Sequence, residues 1–385
     1  MTKTFSFTGA KKIVFGNGSL SALAGHVTDQ QVQNPLIVID KNLAQTGLKE
    51  KIAGLLSAAG IKFTVYDKVV PEPPIELADE GAALAIKRKC DGVIGVGGGS
   101  AMDVAKAIAI IAANKGAAAD YLGLNKVPKA GLPKIMIPTT AGTGSEVTFT
   151  AVFVRRNLQK KEGMNSPYLY PELALLDPEL TLSLPPAPTA QTGLDALCHA
   201  IESYTSINAS PASEMFSLEA IALIAENLRT CVHDGKNLAA REQMLLGSLY
   251  AGIGLANAGM TAVHSLSYPL GGKFGVGHGL ANTILLAPVM AFNLPGALEK
   301  FADVAEAMGE VTDGLPLREA AFLAVEAVEA LIEDCGISAS IKDFGVKETD
   351  FPALADVAMT VARPLENNPR KMTKDDMIAI YAEAF

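Results

Sequence analysis

The sequence predicts an α/β N-terminal domain built on a mostly parallel, Rossmann-like sheet, followed by an all-α C-terminal domain. Three observations carry that expectation. Short β-branched runs alternate with helical stretches through the first half, the pattern of βαβ units whose sheet is covered on both faces. Two glycine-rich turns directly follow runs of this kind, at residues 97–100 and 138–146. Beyond Pro185-Pro186-Ala187-Pro188 the apolar period becomes helical and stays so to the C-terminus, which sets the expected domains at 1–186 and 187–385.

In chain order, the expected strands are KKIVF at 11–15, LIVID at 36–40, FTVYD at 63–67, GVIGVG at 92–97 and KIMIPTT at 134–140. Between them lie the helical patterns GLKEKIAGLLSAAG, IELADEGAALAIKRK and AMDVAKAIAIIAAN. The polar stretch RRNLQKKEG reads as a hairpin or loop, and LALLD at 173–177 as one further strand. From Gln243 to Leu298 the only charged residue is Lys273. Met244 to Val263 is long enough to span a bilayer, but it carries Ser248, Tyr250, Asn257 and Thr261 and lacks basic anchors, so it reads as a helix buried in a protein core.

The chain has 385 residues, of which 49% are hydrophobic and 19% charged, enough to bury real cores and to exclude a disordered tail or a peptide scaffold. Its 32 Lys and Arg against 41 Asp and Glu give a net charge of -9. No basic cluster longer than Lys87-Arg88-Lys89 is present, so neither nucleic acid nor an anionic membrane is an expected partner. The four cysteines, Cys90, Cys198, Cys231 and Cys335, are far apart, and the first residues, MTKTFSFTGAKK, lack the apolar core of a signal peptide. A reducing cytoplasm is the expected location.

Gly97-Gly98-Gly99-Ser100 links a strand to the helix that runs through Asp103. Glycines let a ligand approach the backbone, and the free N–H groups at a helix start attract a pyrophosphate, although such a turn also serves as a plain tight connection. Thr139 and Thr140 begin the second glycine-rich turn, so hydroxyls and glycines gather at the carboxyl ends of two strands, where open α/β sheets bind ligands. Asp40 ends another strand. A carboxylate there suits a ribose diol and repels a 2′-phosphate, which would favour NAD over NADP; the alternative is a turn or helix cap.

Asp195 and His199 are four apart in QTGLDALCHAIESY, so on a helix they project from one face. His264 lies in the nearly charge-free stretch, and His278 follows in FGVGHGLAN. Three imidazoles and one carboxylate suit a first-row divalent ion such as Fe2+ or Zn2+. The same spacing also occurs in surface pairs, and a single buried histidine is commonly a hydrogen-bonded core residue. His26 and His233 carry no assignment.

The ordered set GGGSxxD (97–103), PTTAGTGSE (138–146), GxDALxHAIE (193–202), HxxxYPLGG from His264, and GHGLAN (277–282) resembles the iron-containing, or group III, alcohol dehydrogenases. TFxF…KKIVFGNGS and VVPEPP at 69–74 extend the match across the chain. The resemblance implies a dehydroquinate synthase-like fold, with residues 1–186 binding the dinucleotide and 187–385 holding metal and substrate. It places the metal on Asp195, His199, His264 and His278, and the cofactor on Gly97, Gly98, Gly99, Ser100, Asp103, Thr139 and Thr140. Lys161, or Lys160 if the loop is shifted by one, falls near the nicotinamide. The implied reaction passes a hydride between a primary alcohol or diol and NAD, in a homodimer or larger homo-oligomer. Two departures concern the substrate pocket: Tyr268 stands where some members carry a further histidine, and Leu255 where some carry an aromatic residue.

Other readings of the same resemblance are polyol oxidation, maleylacetate-type reduction and a sugar-phosphate cyclase. The cyclase would need basic residues for a phosphate, and Lys273 is the only one between His264 and His278. A non-catalytic nucleotide-binding protein would tolerate loss of a metal ligand, and all four are present.

Overall fold

The computed structural model describes residues 4–155, 158 and 160–385. The chain divides into two compact units. One comprises Gly9–Thr140 with Ser145–Thr181; the other comprises residues 4–8, Ala141–Gly144 and Leu182–Phe385. The expected boundary at 186/187 thus lies beyond the division at 181/182, and the helical unit also recruits part of the second glycine-rich turn.

In the α/β unit, strands β1 (Ile13–Phe15), β2 (Pro35–Asp40), β3 (Thr64–Val69), β4 (Gly92–Gly97), β6 (Lys134–Pro138) and β9 (Leu173–Leu176) form one sheet in the order β1-β9-β6-β4-β2-β3. Every pairing in it is parallel. Side chains alternate between two cores because successive residues of a strand point to opposite faces. Leu36, Val38, Val93 and Met136 pack with helices α3 (Glu76–Arg88) and α4 (Gly99–Ala113). Ile37, Ile39, Ile94, Val96, Ile135 and Ile137 pack on the other face with α1 (Leu23–Asp29) and α2 (Leu48–Ala58). Burial on both faces explains why these strands read as continuous apolar runs.

A second sheet holds β5 (Gly123–Leu124), β8 (Lys160–Asn165) and β7 (Thr150–Arg155), in that order. The antiparallel β7–β8 pair is the hairpin expected in RRNLQKKEG, of which Arg156, Asn157 and Gln159 lie outside the described residues. The two-residue β5 carries no β-branched run that would announce it.

The second unit is helical: α5 (Pro186–Thr205), α6 (Pro211–His233), α7 (Leu238–Ala258), α8 (Ala262–Phe274), α9 (His278–Asn293), α10 (Leu298–Ala307), α11 (Leu317–Asp334), α12 (Phe351–Met359), α13 (Ala362–Asn367) and α14 (Lys374–Glu383). Start signals in the sequence are used as expected. Pro186 and Pro211 occupy first turns, Ser210 accepts the Ser213 N–H, and Asn237 accepts that of Ala240. The apolar stretch from Met244 is split by Gly259, so α7 ends before His264 and α8 begins afresh. Among the described residues, one helical stretch, 278–296, is apolar and long enough to cross a membrane, and just over half of it is buried inside the protein.

Candidate metal centre

Three helices of the second unit converge on one point. α5 presents Asp195 and, one turn later, His199; α8 presents His264; His278 is the first residue of α9. The four side chains offer ligand atoms that all lie within 4.8 Å of one another, with Asp195, His199 and His264 buried and His278 partly exposed. His199 Nε2 is 3.1 Å from His264 Nε2, and Asp195 Oδ1 is 3.9 Å from both His199 Nε2 and His278 Nε2. Ligands about 2.1 Å from one tetrahedral ion stand roughly 3.4 Å apart, and the observed spacings bracket that figure.

The donor set itself calls for a cation. The His264 Nδ1–H donates to the Glu202 carboxylate, which leaves Nε2 as an acceptor, 3.1 Å from both His199 Nε2 and the Asn282 amide nitrogen. Acceptors gathered in a buried space need donors or a positive charge among them; the Asn282 amide supplies one donor, and a cation would satisfy the rest. Burial would raise the Asp195 carboxyl, but His199, His278 and His264, with the Asn282 amide, hold it below its usual value, so it stays anionic. Burial also lowers the His199 imidazole, against the pull of Asp195.

Two residues here went unassigned at the sequence level. Asn282, one turn after His278, donates through Nδ2 to Asp195 Oδ1 at 2.7 Å and lies 3.1 Å from His264 Nε2, while its own Oδ1 is buried without a partner. Glu202 lies one turn beyond His199. Both close motifs of the family resemblance, GHGLAN and GxDALxHAIE, and lie i+4 and i+3 from histidines, a spacing common on any helix face. Tyr268 stands beside the cluster, its ring 6.2 Å from that of His264 and 6.1 Å from that of His278. Leu255 lies half-buried on α7, where its carbonyl accepts the Gly259 N–H that ends the helix.

The α/β unit holds the other group of candidate residues. The chain turns back between β2 and β4, so the carboxyl ends of these neighbours form the switch point at which open sheets bind ligands. Asp40 ends β2 and Gly97 ends β4. Gly97 has φ +141°, and a Cβ there would lie 2.9 Å from Ala101 Cβ and 3.9 Å from Asp40 Cβ. Gly98 caps α4, so the N–H groups of Gly99 and Ser100 open the helix without intrahelical acceptors. Thr139 donates its N–H to Gly97 O at 3.0 Å, and Thr140 Oγ1 would stand 3.3 Å from a Cβ at Gly98. Asp40 Oδ1 accepts the Asn42 and Leu43 N–H groups, so the turn-cap role is in use on that oxygen.

Asp103 faces inward. Its carboxylate accepts Ser145 Oγ at 2.6 Å and Val152 N–H at 2.9 Å and pairs with the buried Lys106 at 3.1 Å. It braces the turn that follows β6 against α4. Lys161 is nearly buried, with its Nζ 2.6 Å from Glu72, whereas the Lys160 side chain is 47% exposed.

Residues 10–178 match the model of the iron-containing alcohol dehydrogenases, and residues 189–385 match that of the C-terminal region of the Fe-containing alcohol dehydrogenase family. The chain is 41% identical over 373 residues to long-chain-alcohol dehydrogenase 1 of Geobacillus thermodenitrificans, covering 96% of this chain and 94% of the relative. The solved structure of a 1,3-propanediol oxidoreductase superposes with a TM-score of 0.97 at 38% identity over the whole of both chains. A sulfoacetaldehyde reductase from Bifidobacterium kashiwanohense, solved in complex with NAD+, gives a TM-score of 0.89 at 30% identity over 99% of each chain.

Proposed function

This chain belongs to the iron-containing alcohol dehydrogenase family, and from that premise we propose that it interconverts primary alcohols or diols and their aldehydes with NAD, through a divalent ion held by Asp195, His199, His264 and His278. The observation that carries this reading is the convergence of those four side chains, three of them buried, around one point. When bound, a divalent ion lowers the pKa of a hydroxyl, and NAD accepts the hydride. Oxidation of the alcohol gives aldehyde, NADH and one proton.

The protein's own residues supply position and dryness. Asp195 provides the anionic ligand and the histidines three neutral ones, so a divalent ion keeps a net positive charge toward a substrate oxygen. The charge-poor α7 and α8 keep the surroundings apolar, where electrostatic effects are strongest. Tyr268, beside the rings of His264 and His278, and Leu255 are proposed to line the substrate pocket. Gly97, Gly98, Gly99 and Ser100 are proposed to seat the pyrophosphate, Thr139 and Thr140 to flank it, Asp40 to hold the ribose and Lys161 to approach the nicotinamide. Asp103 contributes by bracing the turn. In this reading residues 1–186 serve the cofactor and 187–385 the metal and substrate.

The four free cysteines, three buried and Cys90 partly exposed, fit the reducing cytoplasm that we propose as its location. A homodimer or larger homo-oligomer is proposed from the family resemblance.

The test is NADH formation from a panel of primary alcohols and diols, with and without chelator, on protein reconstituted separately with Fe2+ and Zn2+. His278→Ala is expected to lose stoichiometric metal and, in turnover, more than the roughly 10–100-fold that losing a mere partner of a ligand typically costs. His233→Ala should change neither. Full turnover in metal-free protein, or in His278→Ala, defeats the reading.

A further inference from the structure

Glu202 meets the candidate centre through His264 and is not one of its four candidate ligands. Its side chain is 2% exposed, and three donors converge on its carboxylate. Oε1 accepts the Thr261 hydroxyl and the Val263 N–H, both at 2.8 Å, and Oε2 accepts His264 Nδ1–H. Thr261 is the residue before α8, and its hydroxyl makes no cap within its own helix. The first turn of α8 is therefore capped from α5, by Glu202, which takes one of the N–H groups that a helix start leaves without a partner. One carboxylate thus fixes both the start of α8 and the ring that α8 carries.

We infer that Glu202 is a positioning residue that presets His264 for metal binding, by holding the proton on Nδ1 and keeping the Nε2 lone pair toward Asp195, His199 and His278. This rests on the reading of those four residues as the metal ligands. A neutral imidazole carries one proton, and an anionic acceptor at Nδ1 decides which nitrogen has it. Ligating histidines generally have such a partner at the second nitrogen, and loss of it typically weakens metal binding 10–100-fold. Cys198, Glu202 and His264 also lie close enough together to suggest a second ion. The three donors already on Glu202 argue against that use, because they satisfy the carboxylate from within the protein.

Glu202→Gln separates the two duties. The Val263 N–H and Thr261 hydroxyl are donors, so the glutamine carbonyl must face them and its NH2 must face His264 Nδ1. The cap on α8 survives, but Nδ1 becomes an acceptor and the proton moves to Nε2. We expect the metal-free variant to keep the wild-type thermal midpoint while its Zn2+ Kd, measured by chelator competition, rises 10–100-fold. In metal-free wild type labelled with 15N-histidine, His264 should carry its proton on Nδ1; this measurement needs no substitution and decides the matter if Glu202→Gln does not fold. A Zn2+ Kd unchanged in Glu202→Gln, or a proton on Nε2 of His264 in the wild type, overturns the inference. His278→Ala is run alongside. Equal Zn2+ binding by wild type and His278→Ala would mean that the ligand assignment has failed. Loss of binding in His278→Ala ties the measured Kd to the four-ligand site, so that an unchanged Kd in Glu202→Gln then counts against Glu202 alone.

Discussion

Asp195 and Asp40 are both proposed to meet a ligand, and their surroundings give them different work. Asp195 is buried among three imidazoles and held anionic, as a counter-charge to a cation must be. Asp40 ends β2 at the surface of the sheet's carboxyl edge, with Oδ1 committed to the Asn42 and Leu43 N–H groups. The second oxygen is the one proposed to accept a ribose hydroxyl. A 2′-phosphate there would bring like charges within a few ångströms, at a cost on the order of 1–4 kcal/mol in a partly exposed site. Asp40→Gly would remove charge and cap together. Asp40→Asn keeps an oxygen for the cap and removes only the charge. It should raise the NADP/NAD ratio of kcat/KM by roughly tenfold or more without changing metal content. A wild type that already uses NADP as well as NAD would confine Asp40 to its turn.

At the level of elements, the turn from β4 into α4 concentrates the cofactor chemistry. Gly97 needs its left-handed φ, whereas Gly98 has φ -78°, which any residue can adopt. A methyl at Gly98 would meet only Thr140, at 3.3 Å from Oγ1, a tight but local contact. Gly98→Ala should therefore fold with its metal content intact, while the KM for NAD rises roughly tenfold, about 1.4 kcal/mol of lost cofactor binding. Steady-state kinetics with metal analysis checks both halves, and an unchanged KM would move the pyrophosphate elsewhere. The strands beside this turn were legible in the sequence because burial on both faces demands runs such as LIVID and GVIGV. Their spatial order was not, since it depends on which edge each crossover returns to. Nor was the break between α7 and α8, where Gly259 interrupts an apolar run with no charge to mark it. Scarce histidines and the helix face shared by Asp195 and His199 pointed to a metal, and the family resemblance is what singled out the four candidate ligands. Glu202 closes the motif GxDALxHAIE, but its role was not legible, because a glutamate at i+7 from Asp195 looks like ordinary helix surface until α8 is seen to start against it.

For the whole molecule, the consequence is that its two proposed ligands act on different parts of the chain. A divalent ion on Asp195, His199, His264 and His278 would tie α5, α8 and α9 together, all within the helical unit. NAD on Gly97–Ser100 and Thr139–Thr140 would tie β4, α4 and β6, all within Gly9–Thr140. A ligand at 100 times its Kd stabilises the state that binds it by about 2.7 kcal/mol, which slows exchange by about 100-fold at amides released only when the site opens. Zn2+ added to the metal-free protein should therefore slow hydrogen exchange most in peptides of α5, α8 and α9. NAD added alone should slow it most around the β4–α4 turn and the end of β6. Because Glu202→Gln keeps the α8 cap and loses only the acceptor for His264 Nδ1–H, it should still show the Zn2+ effect, but only at proportionately higher Zn2+. Protection by Zn2+ that appeared first at the β4–α4 turn would contradict the assignment of the metal to the helical unit, whatever the enzyme's activity.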